Sequence, residues 1–292
     1  GVKLDESLNQ VPGVFFQNQY NHAQGLRIST RGFGARAPFG VRGIRIRVDG
    51  FPETLPDGQA QTDAIDLDSA QRIEVIRGPS SVLYGNATGG VIDVTTATGE
   101  DMAYSPLVSM DAGSHGYRKG GVRAGGTDGR WAYHWTLSAL ESDGYRDHSH
   151  VEKRLFNGKV TRELDGGRQL QAVFTAMDNP VAEDPGGLTA QQVDDDRRMA
   201  DPDSEQLDAG QTVEQQRLGL TYRDREAAGG ALTLRGFYTR RDFRQVLPFW
   251  FPGADNVPTY ERAFYGQPLG KRDEGVDALQ LSLVETAQLV AA

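Results

Sequence analysis

The sequence predicts a mainly β protein in two parts: a small α/β unit over residues 1–98, then a run of antiparallel meander strands over 99–292. Three observations lead there. The apolar pattern switches near residue 100 from short mixed segments to strict alternation. Beyond that point the connections alternate between short glycine turns and long loops. The chain also holds 36 glycines, too many for a compact helical protein and suited to turn-rich β structure.

In the first part, residues 5–10 read as a short helix that stops before Pro12, because proline cannot continue it. Segments 26–31, 44–48, 72–76 and 91–95 are β-branched and read as strands. Residues 66–70 read as a helical turn. Between the last two strands, Gly78-Pro79, a short apolar segment and Gly89-Gly90 spell tight turn, short helix and turn.

In the second part, Trp131, Tyr133, Trp135, Leu137 and Ala139 alternate with Ala132, His134, Thr136 and Ser138. Leu170, Ala172 and Phe174 alternate with Gln169, Gln171 and Val173, and Leu218 and Leu220 with Arg217, Gly219 and Thr221. About eight strands follow, near 104–113, 117–126, 131–141, 151–164, 168–177, 213–225, 230–243 and 275–285. The short turns are 127–130, 165–168 and 227–230; the long connections, 141–150, 178–215 and 245–275, all fall on the other rim. Lipid on one face and a wet lumen on the other would give this pattern. So would an antiparallel sheet with one solvated face in a soluble protein.

Composition excludes several classes. With no cysteine there is no disulfide, zinc-thiolate site or cysteine nucleophile. A net charge of −9 speaks against a nucleic-acid binder. No apolar run is long enough for a membrane helix, which leaves a membrane β-barrel open. No nucleophile elbow, Walker loop or His-Glu-x-x-His motif is present, so no catalytic residue is assigned, and no cofactor is expected.

Four motifs in order carry a resemblance. They are Val11-Pro12-Gly13-Val14, Ile28-Ser29-Thr30-Arg31-Gly32-Phe33-Gly34, Val48-Asp49-Gly50-Phe51-Pro52, and the stretch from Arg72 through Arg77-Gly78-Pro79, Tyr84-Gly85 and Gly89-Gly90 to Val94. Together they resemble the plug domain of TonB-dependent outer-membrane receptors. The resemblance implies a plug domain at 1–98 and the first part of a partial transmembrane β-barrel at 99–292, about eight strands of a barrel of about 22. It implies a fragment of a larger receptor, with the TonB box lying before Gly1. Asp184-Pro185-Gly186-Gly187-Leu188-Thr189 resembles a loop of the ferric-citrate-receptor-like branch, although Gly187 replaces a larger residue.

What the resemblance implies for function is active import through the cell outer membrane of a ferric siderophore or similar chelate, by a non-enzyme. Cobalamin, copper or an oligosaccharide are alternative cargoes, and a soluble β-rich hydrolase or adhesin is the alternative class. The implied partners are the TonB energy-coupling complex, the cargo, membrane lipid and lipopolysaccharide, with no nucleic acid and a monomeric state. In the family, arginines at the positions of Arg31 and Arg77 face glutamates of the barrel wall. The loops after Arg-Gly-Phe-Gly and Val-Asp-Gly form the outward plug apex, so Arg36, Phe39, Asp57, Gln59 and Gln61 are the candidate cargo contacts. Asp49 and Gly50 are read as turn residues. Residues 178–210 carry ten acids against Arg197 and Arg198 and read as a solvated loop. Phe249, Trp250, Phe251 and Tyr260 form an aromatic loop cluster, and His148 with His150 lacks a third metal ligand.

Overall fold

The computed structural model describes residues 1–37, 40–55, 58–85, 87–100, 106–227 and 230–247, and the backbone of 271–286. Candidate residues Phe39, Asp57, Phe249, Trp250, Phe251 and Tyr260 lie outside the described residues, as do 287–292.

The first part starts with α1 (Leu4–Leu8), one residue earlier than the pattern suggests. The Glu6 carboxylate accepts from the N–H groups of Val2 (3.1 Å) and Lys3 (3.3 Å), satisfying donors the helix leaves open. Strands β1 (Val14–Gln17) and β2 (Arg27–Thr30) form an antiparallel pair. A second sheet has the order β4-β3-β6-β5, from β3 (Ile44–Val48), β4 (Phe51–Pro52), β5 (Ala70–Arg77) and β6 (Gly90–Thr96). β3 and β6 run parallel, and the other pairs are antiparallel. The short helix α2 (Ser81–Tyr84) links β5 to β6. Residues 66–70 hold a turn, as the pattern suggests: Ser69 Oγ closes it on the Asp66 carbonyl at 2.8 Å. One apolar core unites these elements, with Leu4, Leu8, Leu26, Ile28, Val41, Ile44, Ile46, Ile92 and Val94 among its buried members.

The second part is a single eight-stranded antiparallel meander. In chain order it comprises β7 (Leu107–Ala112), β8 (Arg118–Asp128), β9 (Trp131–Ser142), β10 (Val151–Glu163), β11 (Arg168–Glu183), β12 (Gly210–Asp224), β13 (Ala231–Val246) and β14 (Lys271–Thr286). Two segments differ from expectation. β11 runs on to Glu183, with a register shift between Asn179 and Ala182 that places Pro180 where no ladder N–H is required. The acidic loop carries helices α3 (Ala190–Asp196) and α4 (Pro202–Leu207). Thr189 caps α3 in a capping box with Gln192, and Asp201 caps α4 ahead of Pro202.

The two faces of the meander divide by polarity. Leu137, Leu170, Phe174, Leu218, Leu220, Leu234 and Tyr238 are exposed, whereas His134, Thr136, Ser138, Asn157, Lys159, Thr161, Arg217 and Arg241 are buried. Polar residues buried and apolar residues exposed is the inverse of a soluble sheet. The first part of the chain is what covers the polar face.

Candidate functional site

The seam between the first part and the wall is built from acids on the former and bases on the latter. Asp49 follows β3 with φ +53. Its carboxylate accepts from Thr96 N (3.0 Å) and Thr96 Oγ1 (2.6 Å), which fixes the turn. The same carboxylate meets Lys159 Nζ at 2.6 Å, and Nζ also donates to the Thr96 carbonyl at 2.7 Å. The side chains of Lys159 and Asp49 are 1% and 2% exposed, so this pair is shielded from water and salt.

Three further pairs repeat the polarity. Arg217 grips Glu53 with both terminal nitrogens and donates from Nε to Thr239 Oγ1 at 2.9 Å. Arg241 does the same to Asp63, at 2.6 and 3.2 Å, and its Nη1 donates to Gln215 Oε1 at 2.8 Å. Lys119 meets Asp68 at 2.6 Å. Thr136 Oγ1 donates to Asp66. Burial pushes the Asp63 carboxyl up, but the Arg241 charge and hydrogen bonds more than offset this, holding it below the usual carboxylate range.

Asp49-Gly50-Phe51 therefore does more than turn the chain. A Cβ on Gly50 (φ +84) would come within 2.8 Å of Arg235 Nε, and one on Gly219 within 2.5 Å of the Phe51 ring. Phe51 is buried against the wall and meets Phe237 edge-on at 5.9 Å. Two absent side chains, one on each partner, allow the close approach.

The remaining candidates are spread out. Arg31 (φ +49), Gly32 and Phe33 make a tight turn closed by Phe33 N to the Thr30 carbonyl at 2.9 Å, with Arg31 exposed. Arg77 is exposed and donates to the Pro12 carbonyl at 2.9 Å, and neither arginine has an ion pair among the described residues. Arg31 N donates to the Gly13 carbonyl at 3.4 Å, so both arginine motifs bond to the Pro12-Gly13 segment. Gly78 and Gly89 are joined by a backbone bond, Tyr84 lies under the Arg47 guanidinium at 4.6 Å, and Pro79, Gly85 and Gly90 shape the turns around α2. Arg36 is exposed; Gln59 accepts from Arg42 at 3.5 Å, and the Gln61 amide lies beside Gly25.

Sequence reading missed the segment Asn21-His22-Ala23-Gln24, which meets the wall at the long-loop rim. Its one readable signal is amide richness, from Gln17 to Gln24. Asn21 and Gln24 donate to Asp184, at 2.8 and 2.6 Å. Burial, reinforced by the Lys3 and Lys153 charges, pushes the His22 imidazole down to about 3, so the ring is neutral at physiological pH. His148 is occupied with the Ala209 carbonyl at 2.7 Å.

A separately cored α/β unit pinned by buried charges to the polar face of an antiparallel wall, whose other face is apolar and exposed, is the arrangement of a plug seated against part of a β-barrel wall. The chain is similar to the TonB-dependent receptors: the family model described as TonB-dependent Receptor Plug Domain matches residues 1–91, about a third of the chain. It is 29% identical over 198 residues to a hemin receptor of Yersinia pestis, covering 61% of this chain and 27% of the relative. It is 25% identical over 298 residues to a rhizobactin receptor of Rhizobium meliloti, covering 85% and 38%. The solved structure of the ferric citrate transporter FecA in the unliganded form shares the fold, with a TM-score of 0.69 at 22% identity, covering 85% of this chain and 38% of that one. The chain thus spans well under half the length of the relatives it matches. The family consists of outer-membrane transporters and receptors rather than enzymes.

Proposed function

We propose that this chain supplies the plug, residues 1–98, and the first wall strands, residues 99–292, of an outer-membrane active importer for a ferric siderophore or a similar metal chelate. The observation that carries the reading is the buried acid–base seam. It holds a separately cored unit in place through a few polar latches and little shared apolar core. Such a unit can be displaced and can reseat, because its own fold does not depend on the contact. Displacement under pull from the TonB energy-coupling complex would open the path, with no chemical step and no cofactor.

In this reading the outward rim carries the long loops, and Arg36, Gln59 and Gln61, with Phe39 and Asp57, contact the cargo. Arg31 and Arg77 make a second plug–wall contact to acidic groups. The exposed apolar wall face meets lipid, lipopolysaccharide borders the outer rim, and the receptor works as a monomer.

The test is uptake by an iron-starved strain that lacks its own receptors and carries the full-length receptor. Energy-dependent accumulation of a ferric chelate from a panel of citrate, catecholate and hydroxamate complexes is expected, and it should vanish when the energy-coupling complex is deleted. Uptake of cobalamin, a copper complex or an oligosaccharide instead would change the cargo. No uptake of any of these by correctly inserted receptor would overturn the importer reading.

A further inference from the structure

The plug segment between β1 and β2 is clamped from several sides at the long-loop rim. Asp184 Oδ1 accepts from Asn21 Nδ2 at 2.8 Å, and Oδ2 from Gln24 Nε2 at 2.6 Å. Gln211 donates to the His22 carbonyl at 3.1 Å and Gln245 to that of Ala23 at 3.5 Å. The Ala23 methyl is fully buried in a small cluster with Val151 and Ala182. From within the plug, Lys3 Nζ donates to the carbonyls of Asn18 (3.0 Å) and Asn21 (2.6 Å). Beside this clamp Tyr20 is 94% exposed.

Asp184 is itself held. It is the first residue after β11, is 3% exposed, and accepts from Gly186 N at 3.0 Å. The neighbouring loop, 143–150, sends Arg146 across to the carbonyls of Pro185 (2.8 Å), Gly186 (2.6 Å) and Met199 (3.1 and 2.9 Å). Asp147 N donates to the Arg198 carbonyl at 2.7 Å. A guanidinium fork spread over three carbonyls of one loop fixes that loop's path and orientation. None of these Arg146 bonds reaches residues 20–24.

We infer that Asp184 is the positioning residue for the outward plug segment 20–24, and that Arg146 acts on the same segment through Asp184 by fixing the loop that carries it. The clamp sets where Tyr20 and its flanking amides stand when cargo arrives. Two loops at the long-loop rim and the plug segment 20–24 are therefore bonded into one block. This rests on the importer reading for its use, but not for its geometry.

Hydrogen–deuterium exchange on the full receptor in detergent tests the clamp without cargo or energy. Asp184→Ala removes three accepted bonds and is expected to raise exchange in 20–25 about tenfold. Arg146→Ala should raise exchange in 185–209 and, several-fold, in 20–25 as well. Asp184→Asn should restore near-native protection, because its amide oxygen keeps the Asn21 contact and Gln24 can turn its own oxygen to the new N–H₂. Arg146→Lys should not rescue, since one ammonium cannot span the three carbonyls. Gln24→Ala breaks the contact from the plug side and should loosen 20–25 while leaving 185–209 protected.

Unchanged exchange of β6 in each variant certifies that the plug is still folded, and a variant that fails this control is replaced by Gln24→Ala. Native protection of 20–25 in Asp184→Ala or Gln24→Ala would overturn the role of Asp184. An Arg146→Ala effect confined to the two loops would overturn the relay. Loss of uptake with the exchange pattern as expected in wild type would count against the importer reading and leave the clamp intact.

Discussion

Asp49 shows how much one residue of the plug carries. Its carboxylate accepts from Thr96 and from Lys159 inside a seam with almost no water access. Removing only the lysine strands a buried carboxylate, which typically costs about 3–5 kcal/mol, whereas replacing both charges costs far less. Lys159→Met in the full receptor should therefore loosen the plug more than the double variant Asp49→Asn/Lys159→Met does. Denaturant midpoints for protease access to the plug would show the order, and equal midpoints would mean the pair is hydrated. The proposed cargo contacts make a separate expectation. Alanine at Arg36, Gln59 and Gln61 together should weaken chelate binding on intact cells by roughly tenfold to a hundredfold, because hydrogen bonds to charged partners are worth about 1.5–3 kcal/mol. Arg31→Ala or Arg77→Ala should leave binding alone and sensitise cells to antibiotics that the seated plug excludes. Native affinity in the triple variant would leave the outer loops as the ligand contact.

At the level of elements, the strands were readable because a wall with an exposed apolar face on one side and a polar seam on the other imposes a period of two. Leu137 lies on the exposed face, between the buried Thr136 and Ser138. A charge at the lipid midplane costs about 2–4 kcal/mol, so Leu137→Arg should lower the amount of heat-resistant folded receptor in membranes. The ends of elements were less readable. Asp178, Asn179 and Pro180 look like a strand terminus, but β11 absorbs them in a bulge. The Thr189–Gln192 and Asp201–Pro202 signals for α3 and α4 were present and were masked by the acidic composition around them. The turn after β4 contributes a pH dependence. Asp63 is depressed by Arg241, so its contribution is complete above the unfolded carboxylate value, about 4, and is lost as pH falls through the lower folded value. Plug protection should therefore weaken in acid, and Arg241→Gln should flatten that part of the profile. A profile as steep in Arg241→Gln as in wild type would assign the acid sensitivity to other groups.

Across the whole molecule, the plug's identity was legible and its seating was not. The plug motifs are local, whereas Asp49–Lys159, Glu53–Arg217 and Asp63–Arg241 join residues far apart in a chain with 40 acids and 31 lysines and arginines. Only the register of the wall decides which acid meets which base, and alternation fixes a strand's face without fixing its height beside the plug. The sequence reading consequently looked for arginines on the plug, while the described seam carries acids there. That polarity leads to a prediction about how the plug is retained. Exposed charges are screened from one another beyond a Debye length, which shrinks to about 3 Å at 1 M salt, but shielded pairs are screened far less. Two seam pairs are shielded on both sides, Lys159–Asp49 at 1% and 2% exposure and Arg217–Glu53 at 8% and 5%, while in the third Arg241 is 2% exposed and Asp63 21%. Raising salt from 0.1 to about 1 M should hardly change protease access to the plug in the detergent-solubilised receptor. Urea should change it steeply, because it solvates the peptide and apolar groups of the plug's own core as well. A plug released by salt alone would mean that water and ions already occupy the seam, and the gate would then be held by something other than these pairs.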